Sequence, residues 1–331
     1  MILSQAPMRI SLGGGATDLE SYYSKYGGFV ISAAIDQYCS ILASKPFYDT
    51  IRLSYMQQEM INNIDDIKNS RFREALRFIG IDNSIELHSF ADIPANTGLG
   101  SSSSFLVSLL NALHTYKRNF VTQKQLAEEA CHIEIDVLGE PIGKQDQYIA
   151  SFGGVTCLTF EKNGDVLVEP LQASGETLEQ LESNLVYFYT SIERSASEVL
   201  AEQDEKSQKN DQEMLQNLHQ IKEIGLETKK YLEQGKVDML GELFHTHWQI
   251  KKKRSDKMSD PFIDECYELA RKNGALGGKL IGAGGGGFLM FYCPNNDKSA
   301  LADAMKKEGL RPMRFHFDFW GARILVNMKR F

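Results

Sequence analysis

The stretch from Asn96 to Leu113, NTGLGSSSSFLVSLLNAL, constrains the fold most, because it joins a glycine turn to an apolar helix. The residues after the serines leave no polar face, so we predict a helix that is buried on all sides. A helix start leaves backbone N–H groups unpaired at the positive end of the dipole. One side chain caps a helix, whereas here four hydroxyls stand in a row, Ser101 to Ser104. The pattern suits a phosphate, and a Gly/Ser turn that precedes a core helix is an equally good interpretation of this stretch alone.

Composition and charge narrow the class of protein. The 331 residues are enough for two domains, and 36 Lys+Arg against 44 Asp+Glu give a formal net charge of −8. This charge argues against general binding to nucleic acids or anionic membranes, but it allows a local basic pocket. We see no apolar run of membrane-spanning length and no secretion signal. Five scattered cysteines without a CxxC pair indicate reduced thiols, so we expect a cytoplasmic protein.

Strand-like and helix-like segments are mixed along the chain rather than strictly alternating, which favours the α+β class with two domains. The predicted domains are residues 1–178 and 179–331, joined near Gly175 to Asn184. Local signals predict a helix from Gln123 to Leu138 capped by Thr122, and another that begins at Asp260-Pro261. Ser195 and Glu198 have the spacing of a capping box.

Two further motifs place polar residues beside glycines. In PMRISLGGGATDLESYY, a strand with Arg9 leads into three glycines and then Thr17 and Asp18. These two residues either cap a helix or reach a ligand together with Arg9. In GEPIGKQDQYIASFGG, Asp146 follows a Pro-Ile-Gly loop. An isolated loop aspartate is most often a cap or a solvated surface group.

The segment GKLIGAGGGGFLMFY formally matches the G-x-G-x-x-G dinucleotide fingerprint at Gly282, Gly284 and Gly287. That fingerprint requires a helix after the glycines, whereas the apolar run FLMFYC predicts a strand. We therefore reject dinucleotide binding. The serine loop is also no Walker A motif, because no lysine follows at the required spacing.

Taken together and in this order, the motifs resemble those of the GHMP kinases, which include galactokinase, mevalonate kinase and homoserine kinase. IPANTGLGSSSS resembles the family's phosphate loop, KLIGAGGGG its C-terminal glycine motif, and RISLGGGATD its N-terminal motif. The resemblance covers nearly the whole chain. It implies an N-terminal domain like domain 2 of ribosomal protein S5, a C-terminal ferredoxin-like domain, and ATP and Mg²⁺ as cofactors.

The resemblance also implies roles for individual residues. Ser102 and Glu134 match the magnesium ligands of the family. Asp146 matches its catalytic aspartate and would accept the proton of the attacking hydroxyl, while Arg9 would keep Asp146 ionised and offset the developing charge. The implied ATP-binding residues are Pro94, Asn96, Gly98, Leu99, Gly100, Ser101, Ser102, Ser103 and Ser104.

Within the family, LGGGATD, IERSASEVL and HWQIKKKRS are similar to the D-glycero-D-manno-heptose 7-phosphate kinases. Such enzymes phosphorylate the anomeric hydroxyl of a sugar phosphate on the way to nucleotide-activated heptose. Galactokinase has Glu-His where Gly15-Ala16 stand here, so a larger substrate would have room. The expected substrate-binding residues are Gly14, Gly15, Thr17, Asp18, Arg194, Lys253, Gly282, Gly284 and Gly285.

A phosphorylated substrate needs a cationic clamp, which we expect from Arg194 and from one or more of the basic residues 251–254. A lysine-rich helix end is more often a solvated face, and that alternative stays open. Two other functions also stay open: a kinase for an unphosphorylated sugar (fucose, N-acetylhexosamine or galactose), and a non-catalytic sensor with the same fold. The expected partners are ATP and a small sugar phosphate, without nucleic acid or membrane, and the expected state is a monomer or homodimer.

Overall fold

The computed structural model describes residues 1–192, 201, 205–209, 211–255, 257–294 and 298–328. Within these ranges the chain forms two β-sheets with helices packed against them. The strands are β1 (Ile2–Gly13), β2 (Gly28–Ser44), β3 (Ile51–Ser54), β4 (Gln58–Ile61), β5 (Ile85–Ala91), β6 (Val155–Phe160), β7 (Val166–Pro170), β8 (Leu185–Tyr189), β9 (Gly277–Leu280), β10 (Phe288–Tyr292), β11 (Arg311–Met313) and β12 (Arg323–Asn327). The α-helices are α1 (Glu20–Tyr26), α2 (Ser70–Ile79), α3 (Ser101–Lys117), α4 (Gln123–Cys131), α5 (Gln145–Phe152), α6 (Gly175–Asn184), α7 (Gln212–Glu233), α8 (Met239–Lys252), α9 (Pro261–Lys272) and α10 (Lys298–Lys307). A 3₁₀-helix spans Ile64–Asp66, and a π-helix spans His132–Val137.

The first sheet has the strand order β12-β1-β2-β5-β3-β4, and β6 and β7 join it beside β2. The long strand β2 pairs antiparallel with β1, while its first half also pairs with β6 and its second half with β5. This pairing places Arg9, opposite Ala34, in the middle of the sheet.

The last strand, β12, pairs antiparallel with β1, with Ile2 opposite Asn327. The chain therefore returns to the first sheet at its end. The division into residues 1–178 and 179–331 stays a prediction. The structure shows in addition that residues 323–327 of the second part pair with a strand of the first part.

The second sheet is antiparallel, in the order β11-β8-β10-β9. Every residue of β10 is buried, and a cluster that includes Trp248, Tyr267 and Phe291 packs against one face of this sheet. Because a strand follows Gly287, the predicted absence of a dinucleotide-binding turn is confirmed.

The predicted apolar helix is present as α3. Its residues Leu106, Val107, Leu109, Leu110, Ala112 and Leu113 are fully buried, and Phe105 is partly buried. The helix packs against β1 and β2 on one side and against α2, α4 and α5 on others. The start of α3 is thereby held at the centre of the first domain.

Several local predictions are confirmed. The Thr122 hydroxyl accepts a hydrogen bond from the N–H of Gln125, and Asp260 caps α9 through the N–H of Ile263. The capping box of Ser195 and Glu198 lies outside the described residues. Within the described residues, no helix has the length and apolar character needed to cross a membrane.

In the segment PMRFHFDF, residues 312–319, the strand extends only as far as Met313. The segment leaves the second sheet there and crosses to the first, where the Asp36 N–H donates to the His316 carbonyl. The N–H of Asp318 likewise donates to the Ala34 carbonyl. A segment that connects two sheets satisfies its backbone groups singly and not as a continuous ladder.

Candidate active site

The start of α3 offers backbone N–H groups to a ligand. Gly100, the N-cap residue, has a φ of 77°, and no side chain caps this helix. The first N–H groups of an α-helix have no partner within it, and the dipole adds partial positive charge. Of the four serines, Ser102 is exposed and Ser101 is half-buried, while Ser103 and Ser104 are buried. This end of α3 is suited to an anion.

Arg9 and Asp146 form a two-point ion pair beside this helix start. Nε of Arg9 donates to Oδ1 of Asp146 at 2.7 Å, and Nη2 donates to Oδ2 at 2.7 Å. Paired, nearly parallel contacts of this kind fix both side chains. Arg9 also reaches the serine loop, because Nη1 donates to the Gly98 carbonyl and its backbone N–H donates to the Leu99 carbonyl. Asp146 keeps part of its carboxyl group exposed.

Glu134 is fully buried in the π-helix and accepts four hydrogen bonds. Oε1 accepts from Ser102 Oγ at 3.1 Å and from Arg71 Nε at 3.1 Å. Oε2 accepts from Ser103 Oγ and from Gln147 Nε2, both at 2.7 Å. The structure thus brings Ser102 and Glu134 together as expected, with the exposed serine between the carboxylate and the open side of the loop.

Gly100 allows the serine loop and Asp146 to approach each other. A Cβ atom at this position would lie 3.0 Å from Oδ2 of Asp146. We expect Gly100→Ala to lower kcat about 10-fold, because a displacement of Asp146 by a fraction of an ångström disturbs its alignment with the substrate. Gly309→Ala is the matched control, since Gly309 also has a positive φ (85°) but nothing within 4 Å of its Cβ direction. Steady-state kinetics of both variants check this, and an equal kcat for the two would contradict it.

Thr17 and Asp18 do not cap the helix that follows them. Helix α1 begins after Leu19 without a side-chain cap. The Thr17 hydroxyl donates within the turn to the carbonyls of Gly14 and Phe29. Asp18 is buried and accepts from the N–H of Gln145 at 3.0 Å, which joins the N-terminal motif to α5. Burial raises the pKa of the Asp18 carboxyl, and the proximity of Asp146 adds to this.

Two buried polar atoms lie beside Gly15. The side of Gly15 that would carry a Cβ faces Ser11 Oγ at 3.3 Å and Gln145 Oε1 at 3.9 Å. Both atoms are buried, and neither has a hydrogen-bond partner in the part of the chain that the structure describes. Since Gln145 Nε2 also donates to Asp146 Oδ1 at 3.0 Å, these free polar atoms adjoin the Asp146 carboxylate.

The C-terminal glycine loop packs directly on the serine loop. A Cβ atom on Gly282 would lie 2.6 Å from the Cα and carbonyl oxygen of Gly98. Gly284 packs against Met258, and the N–H of Gly285 donates to the Met258 carbonyl. The density of glycines in this loop therefore follows from close backbone packing. A role for Gly282, Gly284 and Gly285 in substrate binding stays a prediction.

Other residues expected to bind ATP have partners within the protein. The Ser104 hydroxyl donates to the Pro7 and Gly100 carbonyls, and its N–H donates to Gly100. Leu99 is fully buried and holds Arg9 through its carbonyl. Pro94 and Asn96 are exposed at the start of the loop. Ser104 and Leu99 thus support the loop, while Ser101 to Ser103 form the helix start.

The basic residues at the end of α8 differ in their exposure to solvent. Lys253 is exposed, whereas Lys251 and Arg254 are buried. Nζ of Lys251 donates to the Leu280 and Gly282 carbonyls, and Arg254 Nη2 donates to the Gly15 carbonyl at 3.4 Å. The structure thus places Lys251 and Arg254 at the site and Lys253 at the surface. Arg194 lies outside the described residues.

Comparison with known proteins fixes the family. The pattern of the GHMP kinases N-terminal domain matches residues 67–154, and that of the GHMP kinases C-terminal domain matches residues 228–310. The chain belongs to the GHMP kinase family. It is accordingly a phosphotransferase, and the predicted α+β GHMP kinase fold with N- and C-terminal domains is confirmed.

Individual relatives extend over nearly the whole chain. A D-glycero-alpha-D-manno-heptose 7-phosphate kinase of Campylobacter jejuni is 32% identical over 319 residues, covering 93% of this chain and 94% of the relative. The crystal structure of a D-glycero-D-manno-heptose 1-phosphate kinase from Bacteroides thetaiotaomicron has a TM-score of 0.83 at 25% identity, covering 99% of this chain and 100% of that one. A galactokinase of Pyrococcus furiosus is 26% identical, covering 93% of this chain and 94% of the relative.

Several residues of the site carry no motif and were missed from the sequence. Arg71 holds Glu134 from helix α2, and its Nη2 also donates to Glu140 at 3.1 Å. Gln147 holds the other oxygen of Glu134. Ser11 and Gln145 place polar atoms beside Gly15. Of these residues, only Gln145 and Gln147 stand out in the sequence, because they lie on either side of Asp146. Nothing in the sequence distinguishes Arg71 from the other arginines.

Proposed function

We propose that this protein transfers the γ-phosphoryl group of ATP to the anomeric hydroxyl of a sugar phosphate. D-glycero-D-manno-heptose 7-phosphate, which would give the 1,7-bisphosphate, is the proposed substrate. The observation that carries the proposal is the Arg9–Asp146 pair, which lies against an open helix start and beside unpartnered polar atoms. The heptose 7-phosphate kinase of Campylobacter jejuni, 32% identical, supports the choice of sugar.

In this proposal Asp146 accepts the proton of the attacking hydroxyl. The Asp146 side chain is 24% exposed, so a hydroxyl could approach it, while two hydrogen bonds from Arg9 fix its orientation. A positioned general base contributes about 10²- to 10⁴-fold to rate. In the same proposal the buried guanidinium of Arg9 would offset the negative charge that grows on the transferred group.

The residues present fit Mg²⁺ bound together with ATP. Mg²⁺ prefers oxygen ligands and is usually held by one or two carboxylates together with phosphate oxygens and water. Ser102 Oγ and Glu134 Oε1 lie 3.1 Å apart at the open helix start and supply such oxygens. When bound, the ion would neutralise charge on the phosphates. The backbone N–H groups of Ser101 to Ser103 would bind the phosphate oxygens.

The sugar would lie at Gly15. Among the described residues Ser11 Oγ and Gln145 Oε1 have no partner at this buried position, so the Ser11 hydroxyl could donate to or accept from a sugar hydroxyl, and Gln145 Oε1 could accept from one. Leaving such atoms unpaired costs roughly 1–3 kcal/mol each, which a sugar hydroxyl would recover. Five buried free cysteines fit the further proposal that the protein acts in the cytoplasm.

A substrate panel tests this function. We expect ³¹P spectra of reactions with ATP and heptose 7-phosphate to show a new anomeric phosphate signal and the formation of ADP. Heptose 1-phosphate, the same heptose without phosphate, galactose, fucose and N-acetylhexosamines are tested in parallel. Faster turnover of fucose or galactose than of any sugar phosphate would overturn the proposed substrate. Absence of ADP formation with every sugar would favour the sensor alternative.

A second candidate function, the phosphorylation of a hydroxyl other than the anomeric one, has a specific observation in its favour. The structural neighbour from Bacteroides thetaiotaomicron is named a heptose 1-phosphate kinase, and the substrate in that name already carries a phosphate at its anomeric carbon. For this chain, the ³¹P chemical shift and its coupling to the sugar proton distinguish the products. Growth of a signal from a primary-alcohol phosphate would identify this second function.

A further inference from the structure

Three buried cations lie near the candidate site. Lys251, Arg254 and Lys279 are 6%, 3% and 2% exposed. Among the described residues, their hydrogen bonds end on backbone carbonyls, on Asn217 and on His247. A buried cation normally has an anionic partner, because removal from water is costly. Within the part of the chain that the structure describes, no salt bridge to a carboxylate balances these three groups.

Burial strongly lowers the pKa of both lysines. Burial, with Arg254 and Arg9 nearby, lowers the pKa of Lys251 to about 7. Burial likewise lowers the pKa of Lys279 well below its usual value, with Lys251 and Arg254 adding to the effect. An anion bound here would reverse this effect by stabilising the charged forms.

Two of the cations contact the glycine loops of the candidate site, Arg254 at Gly15 and Lys251 at Gly282. Arg254 donates to the Gly15 carbonyl; burial lowers the pKa of its guanidinium to about 10, and the nearby charge of Asp18 opposes this shift. Lys251 holds the Gly282 carbonyl, where the glycine loop meets the serine loop, and lies close enough to Arg9 to be influenced by its charge. Lys279 instead points to the Leu12 carbonyl and His247. An anion between Lys251 and Arg254 would thus lie on the sugar side of the Arg9–Asp146 pair.

We propose that Lys251 and Arg254 bind the phosphate group that the sugar substrate already carries. This inference rests on the proposed function, and among the basic residues 251–254 expected to join Arg194 in the clamp it selects Lys251 and Arg254 and not the exposed Lys253. ATP already has a separate receptor in the N–H groups of α3, whereas no other buried cations among the described residues adjoin Gly15. A phosphate dianion accepts charge-assisted hydrogen bonds from both groups, and the guanidinium offers a planar pair of donors.

Kinetics with two forms of one sugar test the clamp. The ratio of kcat/KM for heptose 7-phosphate to kcat/KM for the unphosphorylated heptose measures the recognition of the phosphate. We expect Lys251→Met and Arg254→Gln each to lower this ratio about 10- to 100-fold, because each loses a charge-assisted hydrogen bond. Arg254→Lys keeps the charge and is expected to restore part of the ratio. Lys272→Met, at an exposed lysine in the last turn of α9, is the matched control.

Other results would overturn the clamp. Lys251 also anchors the glycine loop, and a merely structural role would lower both kcat/KM values equally and leave the ratio unchanged. A rise in KM for ATP without a change in the ratio would assign the cations to ATP. Should Lys251→Met fail to fold, Arg254→Lys and Arg254→Gln decide by the same ratio.

Failure of the proposed function is distinguishable from failure of the clamp. If the wild type turns over neither heptose phosphate, the proposed function is wrong. The clamp is then tested with inorganic phosphate, by ³¹P line broadening in the presence of saturating Mg-ADP, which occupies the serine loop. Broadening by the wild type that is lost in Arg254→Gln supports an anion site here, and equal broadening in both overturns it.

Discussion

Replacement of Asp146 by asparagine is expected to lower kcat by about 10²- to 10⁴-fold while ATP binds with nearly unchanged affinity. Asparagine has the same shape, and its one carbonyl oxygen still accepts from Arg9, but it cannot take up the proton of the attacking hydroxyl. ATP binding is expected to persist because it depends on the start of α3 and not on Asp146. Steady-state kinetics give kcat, and isothermal titration calorimetry gives the affinity for ATP.

A second buried Arg–Asp pair provides the control for this variant. Asp318 is 4% exposed and accepts from Arg323 Nη1 at 3.1 Å, in the segment that joins the two sheets. Asp318→Asn removes one carboxylate from a comparable pair, so a loss of stability without a comparable loss of kcat is expected. If Asp146→Asn keeps more than a tenth of the wild-type kcat, Asp146 orients the hydroxyl without acting as the base.

The parts of the site that the sequence predicted are those held by short motifs. The apolar run after the serines is enough to predict α3, because a helix with no polar face must be buried. Glycines mark the serine loop and the loop at Gly282, since close backbone approach excludes a Cβ. Arg9 and Asp146 are 137 positions apart, and it was the family resemblance, not spacing, that placed them together.

The choice among the basic residues of KKKR could not be made from the sequence, because it depends on how α8 ends. The helix ends at Lys252, and in the turn that follows, where the N–H of Arg254 donates to the Lys251 carbonyl, Lys251 and Arg254 are buried while Lys253 is exposed. A run of consecutive cations gives no apolar pattern from which the buried face could be read. Arg71 was missed for a related reason, since it reaches Glu134 across 63 positions without any motif.

The N-terminal motif shows how tertiary contacts override a local signal. Thr17 and Asp18 stand where a helix cap is favoured, yet α1 starts later and without a side-chain cap. Both side chains are used by the fold itself: Thr17 closes the turn against Phe29, and Asp18 receives the N–H of Gln145. The turn is therefore shaped to hold Gly15 and α5 together, which no local pattern indicates.

Replacement of Glu134 by glutamine is expected to lower kcat/KM about 100- to 1,000-fold at millimolar Mg²⁺, because a metal contributes several kcal/mol to the stabilisation of transition-state charge. Glutamine keeps the size of the side chain and one acceptor oxygen, but it removes the charge that pairs with Arg71 and that, in the proposed function, would also bind Mg²⁺. The loss is expected to be partly recovered at higher Mg²⁺ concentration. Magnesium titrations of the initial rate, at saturating ATP, measure this shift.

Glu140 supplies the matched control, since it is the other carboxylate bound by Arg71. Glu140→Gln removes a negative charge from the same arginine without touching Ser102 or the serine loop. We expect its magnesium dependence to match that of the wild type within about threefold, because a partly exposed ion pair contributes little. If both variants shift the magnesium dependence equally, the effect of Glu134 acts through Arg71 and helix α2. A shift confined to Glu134→Gln instead locates the ion at the contact between the buried carboxylate and the Ser102 hydroxyl.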